Sequence, residues 1–590
     1  MHASSAIDAW FPLSSAQNSR WFLYQVDPAG QGNHNNVFSA SLRGRVDEAA
    51  LSRAIARLAA RHPMLRARLR CLQGQAPQQC IAEAAPVPLR IVDASGLDSA
   101  ALQSRVSEDA YAPFDLSGSA LFRAVVYRRS ESESAFLFAL DHLICDGWSY
   151  WLLLEELGKL LSDVQHSAVA DKSTVGYSDY VAWQREWLAQ DAQAQRQFAY
   201  WESQLAGELP VLNLPGDSMR PAASGGRQRI VTRLLDSALT QRLGALARQQ
   251  AATLFSVLLA GYQALLHRYA GQDDIVVGAP MPGRGQAKWD GVVGDFVNVI
   301  ALRTTFGDDP SVAQLLRRVR GTALKGMAQQ EYPFSQLVER LQPARGAGVH
   351  PFFQALFVFQ NARRGQALSG LWNSQGDAAA VRWGELELRP FALEQRVAGD
   401  RLALALQTLD LGEQLRCDFA YDSERFDAAA IERLADSFVV LLDGMCTDST
   451  QRVSRLPLLS PREREQVLLG FNATQQAASG AQTIASLFEA QVARAGTAPA
   501  LRSEGETYTY AELNQRANRL AHALLAQGVK PDQRVAICVQ RGLDLVVGLL
   551  GILKAGAAYV PLDPAYPADR LAYMLADCAP VALLTQGRLA

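Results

Sequence analysis

The sequence predicts an α/β fold built from several compact units, and three observations support this prediction. The chain has 590 residues, which is more than one core ordinarily holds, since a domain contains roughly 150 residues. Hydrophobic residues make up 49% of the chain and charged residues 20%, as is typical of a globular protein. Apolar runs of strand length alternate with segments of helical periodicity, which is the pattern of α/β folds.

The chain begins with a predicted strand and a predicted helix. Residues 37–42 form a short strand-like run, and Asp47 is a typical helix N-cap. The helix that follows carries apolar residues on one face, namely Leu51, Ile55 and Leu58. A strand followed directly by an amphipathic helix is the repeating unit of an α/β fold.

A second strand and helix enclose the most informative segment of the sequence. Residues 135–140 are apolar at every position, which predicts a strand covered on both faces. Residues 150–161 repeat leucine at helical spacing and predict a helix. The segment between them contains His142 and Asp146, so these two side chains are expected at a strand-to-helix junction.

The middle of the chain repeats this alternation, and a second unit follows it. A helix is predicted over residues 254–269 and a strand over 275–277. The sequence turns polar and irregular between residues 449 and 480, which predicts a linker near 455–480. The elements predicted beyond it are a helix over 509–525, a strand over 534–539 and an apolar block over 546–562.

Composition argues against several classes of partner. Lys and Arg total 57 against 59 Asp and Glu, a net charge of -2, so no basic field attracts nucleic acid or an anionic membrane. The seven cysteines lack zinc-site spacing, which favours the reducing cytoplasm. Residues 1–11 lack a signal-peptide pattern, and the longest apolar run, residues 545–553, is about half as long as a membrane span. We therefore expect a cytoplasmic protein without a membrane span or a nucleic-acid partner.

The candidate for chemistry is the segment from Asp141 to Gly147. An imidazole has an ordinary pKa of about 6.5, so His142 at the end of a buried strand is suited to act as a general base. An equally good interpretation is a histidine hydrogen-bonded within a turn, with Asp146 capping the next helix. The sequence has no GxSxG elbow and no GxxxxGKS/T phosphate loop. Its His and carboxylate residues lack metal-site spacing, and no metal is expected.

Seven segments, in order, resemble the signature motifs of condensation domains from nonribosomal peptide synthetases. Asp141–Gly147 resembles HHxxxDG, the catalytic motif of that family. The others are Pro12–Gln17 with Arg20 and Trp21 (SxAQxxxW), Arg61–Arg66 (RHxxLR), Tyr177–Trp187 (YxDYxxWQ), Gly294–Asn298 with Leu302 and Arg303 (GxFVNxxxLR), Glu331–Phe334 with Leu337 and Val338 (DYPFxxLV), and Pro351–Gln354 with Phe357, Gln360 and Asn361 (PLFQVMFxxQN). Seven matches in the family's order exclude coincidence.

The end of the chain is similar to the N-terminal part of an adenylation domain. Tyr508–Leu513 resembles LTYxEL, and Leu553–Pro564 resembles LKAGxAYVPLDP. The phosphate loop, the ribose-binding Asp and the catalytic Lys of that family are expected beyond Ala590. No segment resembles the site that carries phosphopantetheine. The resemblance therefore implies a piece of a larger synthetase whose adenylation part is inactive as it stands.

The resemblance implies a definite architecture. The condensation domain is expected to have two chloramphenicol-acetyltransferase-like lobes in a V-shaped pseudo-dimer, with a tunnel between them. The expected division is an N-terminal lobe over 1–175, a C-terminal lobe over 176–455, a linker over 456–480 and a truncated adenylation part over 481–590. We expect a monomer within a larger synthetase.

The resemblance also implies a reaction and its partners. Condensation domains form an amide between a donor acyl or peptidyl thioester and an aminoacyl thioester on a carrier protein. The acceptor partner would be an aminoacyl carrier protein, and the donor an acyl-CoA or an acyl or peptidyl carrier protein. The condensation domain itself binds no cofactor, since phosphopantetheine belongs to the carrier and ATP with magnesium to a full-length adenylation domain.

Roles are carried over to matching positions only. His142 is expected to take the amine proton or to orient the nucleophile and the tetrahedral intermediate. Asp146 is expected to pair with an arginine, either Arg66 or Arg284, and Gly147 to leave room for substrate. Residues expected to line the tunnel are Trp148, Ser149 and Asn298, although Asn298 is equally well explained as a capping or turn residue.

The chain departs from the family at Asp141, where the motif has its first His. Adjacent residues of an extended segment point to opposite sides, so this carboxylate is expected to make a structural contact. If it lay near the imidazole, it would favour the protonated ring. The change also creates a match to DxxxxDxxS of heterocyclisation domains, through Asp141, Asp146 and Ser149.

Three alternatives and one subtype therefore stay open. The alternatives are heterocyclisation, a non-catalytic platform for carrier proteins, and a free-standing HxxxD acyltransferase, which the adenylation segment disfavours. The first motif begins at Pro12, which slightly favours a starter domain that uses a fatty acyl donor.

Overall fold

The computed structural model describes residues 10–28, 30–83, 88–116, 120–162, 175–217, 228–343, 350–361, 368, 371, 380–393, 402–476, 480 and 482–587. They belong to two compact units, which divide between Gln466 and Val467. The first unit contains two lobes, each built around a six-stranded sheet, and the second contains a small parallel sheet. This architecture confirms the predicted α/β fold class.

The strands described in the first unit are β1 (Phe11–Pro12), β2 (Asn36–Arg43), β3 (Ala67–Arg70), β4 (Gln78–Ile81), β5 (Leu89–Asp93), β6 (Phe122–Arg128), β7 (Glu133–Leu140), β8 (Gln228–Leu235), β9 (Asp274–Met281), β10 (Asn298–Thr305), β11 (Ala355–Asn361), β12 (Val381–Trp383), β13 (Leu386–Pro390), β14 (Leu404–Asp410) and β15 (Leu415–Asp422). The helices are α1 (Ser15–Val26), α2 (Glu48–Arg61), α3 (Ser99–Tyr111), α4 (Gly147–Ser162), α5 (Tyr177–Gln190), α6 (Ala192–Gln204), α7 (Ser237–Gln249), α8 (Leu254–Ala270), α9 (Val312–Ala328), α10 (Phe334–Leu341), α11 (Ala428–Thr447) and α12 (Pro461–Glu465).

The first lobe is centred on β7. Its sheet has the order β12-β13-β2-β7-β6-β5, and β7 pairs antiparallel with β2 on one side and β6 on the other. Seven of the eight β7 residues are buried, which explains why the sequence is apolar at every position from 135 to 140. The strand therefore delivers the loop that follows it into the interior.

A hairpin from late in the chain completes the first sheet. Residues Glu387–Pro390 of β13 pair antiparallel with β2, from Arg43 to Ala40. Trp383 of β12 is 5% exposed and stacks on Phe38 with ring centroids 5.9 Å apart. The first lobe is thus built from two distant stretches of sequence.

The second lobe has the strand order β10-β9-β11-β14-β15-β8. Its β11 pairs parallel with β9 and with β14, and the remaining pairs in the sheet are antiparallel. Helix α8 is almost wholly apolar and packs against α7, α9 and α11. Because its side chains are buried nearly all round, α8 is a core helix.

Several helices begin or end at the capping residues that the sequence predicts. The Asp47 side chain accepts the Ala50 amide and caps α2. Helix α8 ends at Gly271, which adopts the left-handed conformation with φ 65°. The expected division near residue 175 stays a prediction, and the core of the first lobe also includes Tyr177 and Trp289 from beyond that position.

The second unit contains α13 (Ile484–Ala495), β16 (Pro499–Ser503), β17 (Glu506–Thr509), α14 (Tyr510–Ala526), β18 (Arg534–Cys538), α15 (Leu543–Lys554), β19 (Ala558–Pro561), α16 (Ala568–Cys578) and β20 (Ala582–Thr585). Strand β18 lies between β19 and β20 and pairs parallel with both. Helix α14 begins with a capping box between Thr509 and Glu512. The predicted helix and strand of this unit are confirmed.

Across the described part of the chain, no individual helix has the length and apolar character to cross a membrane. Helices α7 and α8 meet that test only as a pair, and the chain bends by 103° between them.

Candidate active site

His142 lies in the loop between β7 and α4, at the contact between the two lobes. The loop turns tightly, with the Cys145 amide donating to the His142 carbonyl at 3.3 Å. The Asp146 amide then donates to the carbonyl of Gly294 at 2.9 Å, in the loop between β9 and β10 of the second sheet. Backbone hydrogen bonds therefore fix the candidate histidine between the lobes.

Asp146 forms a buried ion pair with Arg284. The guanidinium Nη2 donates to Oδ1 at 3.1 Å and to Oδ2 at 3.2 Å, and the two side chains are 0% and 2% exposed. The same carboxylate accepts the amides of Ser149 at 2.7 Å and Phe296 at 3.1 Å. Asp146 thus combines the two roles that the sequence left open, since it pairs with an arginine and also caps α4.

Arg284 is held rigidly by the loop that follows β9. Gly283, just before it, has φ 65°, and a Cβ there would lie 1.8 Å from the Phe296 carbonyl oxygen, so the position requires glycine. The guanidinium Nη1 donates to the carbonyls of Trp289 at 2.6 Å and Val292 at 2.8 Å. Both terminal nitrogens of the guanidinium are therefore hydrogen-bonded, since Nη2 contacts Asp146 and Nη1 contacts the loop carbonyls.

Of the two arginines predicted as candidate partners of Asp146, Arg284 makes the contact and Arg66 does not. The Arg66 guanidinium donates instead to the backbone carbonyls of Ala59, Ala82 and Glu83. The physical reason is local, because the chain forms a short 3-10 turn over Pro63–Arg66 directly after α2. That turn directs the side chain to nearby backbone.

Two charged side chains border the His142 ring. The Arg20 guanidinium Nη2, from α1, lies 3.1 Å from Nε2. The Asp295 Oδ1 lies 3.6 Å from Nδ1, which is too long for a hydrogen bond. Asp295 also accepts Arg20 Nε at 2.6 Å through its other oxygen. The side chains of His142 and Arg20 are 19% and 18% exposed, so both border accessible space. The Asp295 side chain beside them is 0% exposed.

These neighbours set the state of the imidazole. A guanidinium donates only, so Nε2 must be the acceptor, and this chemistry assigns the ring proton to Nδ1. Burial first, and the Arg20 charge second, hold the pKa of His142 well below its ordinary value. The ring is therefore neutral at physiological pH.

Asp141 contacts groups other than the His142 ring. Its Oδ1 accepts the Leu143 amide at 2.8 Å and the Tyr24 hydroxyl at 3.2 Å, and Gln31 Nε2 lies 3.5 Å from Oδ2. The residue is 0% exposed, and burial raises the pKa of its carboxyl. The carboxylate near the imidazole is that of Asp295 rather than that of Asp141.

The remaining predicted residues differ in what they contact. Gly147 is exposed, and a Cβ there would meet no atom within 4 Å, so space is open beside it. Trp148 is half-buried and donates from Nε1 to the Asp290 carbonyl at 3.0 Å. Ser149 is buried, and its hydroxyl donates to the Gly294 carbonyl at 3.0 Å. Ser149 thus joins the lobes.

Asn298 fixes the segment before α10. Its Nδ2 donates to the carbonyls of Gln330 at 2.8 Å and Tyr332 at 2.7 Å, and its Oδ1 accepts the Phe334 amide at 2.9 Å. These are the contacts of a turn-fixing residue. Asn298 also borders a cavity of about 20 Å³ that Glu331 lines as well.

Sequence reasoning did not assign a role to Arg20 or Asp295. Both lie within recognised segments, and Asp295 stands between Gly294 and Phe296 in the GxFVNxxxLR motif. The available signal was a charged residue inside each recognised segment. Among the described residues, no group of three His, Cys, Asp or Glu side chains could hold a metal ion.

Comparison with known proteins identifies the fold around this site. The family model described as "Condensation domain" matches residues 8–468. The chain belongs to the condensation-domain family. A second family model, "AMP-binding enzyme", matches residues 488–590.

The relatives of this condensation domain are subunits of nonribosomal peptide synthetases. One of the subunits of linear gramicidin synthase from Brevibacillus parabrevis is 36% identical over 588 residues, which are 99% of this chain and 11% of that protein. Surfactin synthase subunit 1 of Bacillus subtilis (strain 168) is 34% identical, over 98% of this chain and 15% of that protein. The chain therefore spans a small part of the length of these relatives.

Solved structures share the fold. Holo-AB3403, a four-domain nonribosomal peptide synthetase bound to AMP and glycine, matches with a TM-score of 0.81 and 23% identity, over 100% of this chain and 44% of that chain. The starter condensation domain of rhizomide synthetase, in complex with C8-CoA, matches with a TM-score of 0.63 and 19% identity, over 76% of this chain and 98% of that chain. The two lobes are thus those of a condensation domain.

Proposed function

We propose that this chain catalyses amide formation between an acyl or peptidyl thioester and an aminoacyl thioester carried by phosphopantetheine. The observation that supports this most is the position of the His142 ring, fixed between two condensation-type lobes with Nε2 3.1 Å from a guanidinium donor. A neutral imidazole is the form that accepts a proton. The buried pair of Asp146 and Arg284 keeps the loop in place.

The proposed reaction has two steps. The acceptor amine attacks the thioester carbonyl carbon, the C–N bond forms, and an amine proton passes to Nε2 of His142. The tetrahedral intermediate then collapses, the C–S bond breaks, and the leaving thiolate takes the proton back from the imidazolium. For this, the amine must replace the Arg20 guanidinium at Nε2. Holding the two thioesters in one orientation contributes to the rate as well.

The test is single-turnover product formation from purified components. A donor thioester and an aminoacyl-loaded carrier protein are mixed with the wild type, His142→Ala and the control His522→Ala, whose side chain is exposed on α14. We expect the His142 variant to lose about 100-fold or more in rate, as general-base removal does, and the control to match the wild type. Full activity of His142→Ala would exclude the proposed role.

The donor is proposed to be a fatty acyl thioester, which would make this a starter domain. The fold likeness to a starter domain solved with C8-CoA supports testing this donor class. Acyl-CoA of several chain lengths and acyl or peptidyl carrier protein are supplied in parallel. If only peptidyl carrier protein gives product, the starter subtype is wrong and amide formation stands.

Asp141 argues for amide formation over ring closure. Its carboxylate is fully buried against Tyr24 and Gln31, so it does not border the accessible side of His142. With a Cys, Ser or Thr acceptor we expect the linear amide. A product lighter by one water would indicate heterocyclisation.

One observation favours a second candidate, the non-catalytic platform. Arg20 engages the His142 lone pair in this structure, and a base cannot work while that contact lasts. The platform hypothesis predicts binding of loaded carrier proteins by the wild type, with no product from any donor and no difference between wild type and His142→Ala.

The wider setting is proposed from the family. Partners are an aminoacyl carrier protein and the donor thioester, the chain acts as a monomer within a larger synthetase, and the location is the cytoplasm. We expect no amino-acid-dependent ATP–pyrophosphate exchange by residues 488–590, since this stretch holds none of the phosphate-loop, ribose-binding or catalytic lysine motifs of adenylation domains. Light scattering tests the monomeric state, and an exchange assay tests the adenylation part.

A further inference from the structure

We propose that Arg20 is a positioning residue for His142, which keeps the imidazole uncharged and assigns its lone pair to Nε2. The inference concerns the ring itself, and it rests on the proposed function only for its kinetic consequence. The residues that carry it are Arg20 on α1, His142 after β7 and Asp295 before β10. They come from three separate elements of the first unit.

The first argument is the anchoring of Arg20. Its Nε donates to Asp295 Oδ2 at 2.6 Å, and Asp295 is fully buried. A charge-assisted hydrogen bond of this length is strong, and it fixes the guanidinium plane. With Nε held, Nη2 lies 3.1 Å from Nε2 of His142. The cation is therefore built into the site rather than resting on its surface.

The second argument is the balance of charges that act on the ring. Arg20 and, more weakly, His34 oppose protonation, whereas Asp146 favours it. Asp295 faces Nδ1 at 3.6 Å and would stabilise an imidazolium, but its charge is already paired with Arg20. Burial and the nearby guanidinium together outweigh the anions.

The third argument is the choice of nitrogen. Without a donor at Nε2, a neutral imidazole can carry its proton on either nitrogen. The guanidinium excludes the Nε2–H form, because two donors would then face each other at 3.1 Å. The Arg20 guanidinium thereby keeps Nε2 of His142, which borders partly accessible space, as the acceptor. This is the form that a proton-accepting imidazole requires.

The test follows His142 directly, by NMR of protein labelled with 13C and 15N histidine. Loss of a signal in His142→Ala assigns the resonance among the eight histidines. Arg20→Met removes both charge and donor, and Arg20→Gln removes the charge but keeps an N–H donor. The control is Phe22→Ala on the same helix, where the side chain is 65% exposed.

We expect wild-type His142 to titrate well below the ordinary value of about 6.5 and to show the Nδ1–H tautomer. In Arg20→Met the titration moves to higher pH and both tautomers appear. In Arg20→Gln, which also lacks the charge, the titration moves to higher pH as well, and Phe22→Ala matches the wild type. An unchanged titration in the folded Arg20 variants, or an ordinary titration in the wild type, would overturn the proposal.

Kinetics then separate this inference from the proposed function. If His142 is the base, the acid limb of the pH profile of amide formation moves to higher pH in both Arg20 variants and stays in place in Phe22→Ala. If the NMR titration moves and the acid limb does not, Arg20 positions the ring as proposed and His142 is not the base.

Discussion

Replacing Asp146 by alanine is expected to be strongly destabilising. The variant removes a carboxylate that accepts hydrogen bonds from Arg284, Ser149 and Phe296. It leaves a guanidinium that is 2% exposed without its counter-ion. Breaking a buried ion pair in this way costs about 3–5 kcal/mol. The loss falls on the contact between the lobes, so the whole first unit should unfold more easily.

The assay is urea unfolding followed by tryptophan fluorescence. All ten tryptophans lie between Trp10 and Trp383, so the signal reports the first unit alone. With a slope of about 3 kcal/mol per M, the midpoint should fall by about 1 M or more. The control is Asp443→Ala, which breaks an ion pair with Arg242 whose side chains are half exposed and should cost roughly 0–1 kcal/mol.

The reasoning would be refuted if Asp146→Ala and Asp443→Ala had the same midpoint. A double variant, Asp146→Ala with Arg284→Met, separates charge from packing. Because it removes both buried charges, it should be less destabilised than the sum of the two single variants. Strict additivity would show that the ion pair is not the cause.

Two further predictions use the same urea assay. Burial raises the pKa of Asp141, so above a pH of about 4 this carboxyl keeps its proton more readily in the folded state than in the unfolded state. The contribution of this residue to stability is therefore lost as pH rises above about 4. Asp141→Asn keeps an acceptor for the Leu143 amide but does not ionise. Its urea midpoint should therefore rise relative to that of the wild type as pH rises, and a difference in midpoint that stays constant with pH would contradict this. In Gly294→Ala the new Cβ would lie 2.1 Å from the Tyr177 ring, and this overpacking should cost about 1–3 kcal/mol. Gly291→Ala, whose Cβ would meet no atom within 4 Å, is the control and should leave the midpoint unchanged.

Local parts of the fold could be predicted because their signals are local. The uninterrupted apolar run of β7 indicated a strand buried on both faces, and Asp47 and Thr509 marked the starts of α2 and α14. Motif order identified the family, which in turn implied the two lobes. The arginine partner of Asp146 was narrowed to two candidates, of which Arg284 makes the contact and Arg66 does not.

The surroundings of His142 could not be predicted because they depend on tertiary contacts. Arg20 is 122 positions away in sequence, and no periodicity links α1 to the loop after β7. Asp295 appeared only as a variable position within a motif. Alternation along an extended segment does explain why Asp141 and His142 contact different groups, yet it does not reveal which charges reach the ring.

The late hairpin ties the folding of the first lobe to the order of synthesis. During translation, β2 has one free edge until the chain has been extended to residue 390 and β13 can pair with it. An open strand edge invites pairing with other chains, and contacts so distant in sequence form slowly. A fragment that stops near residue 175 would keep this edge exposed and would lack the Trp383 ring that packs on Phe38. Interface studies of the first lobe therefore require the chain to continue through the hairpin.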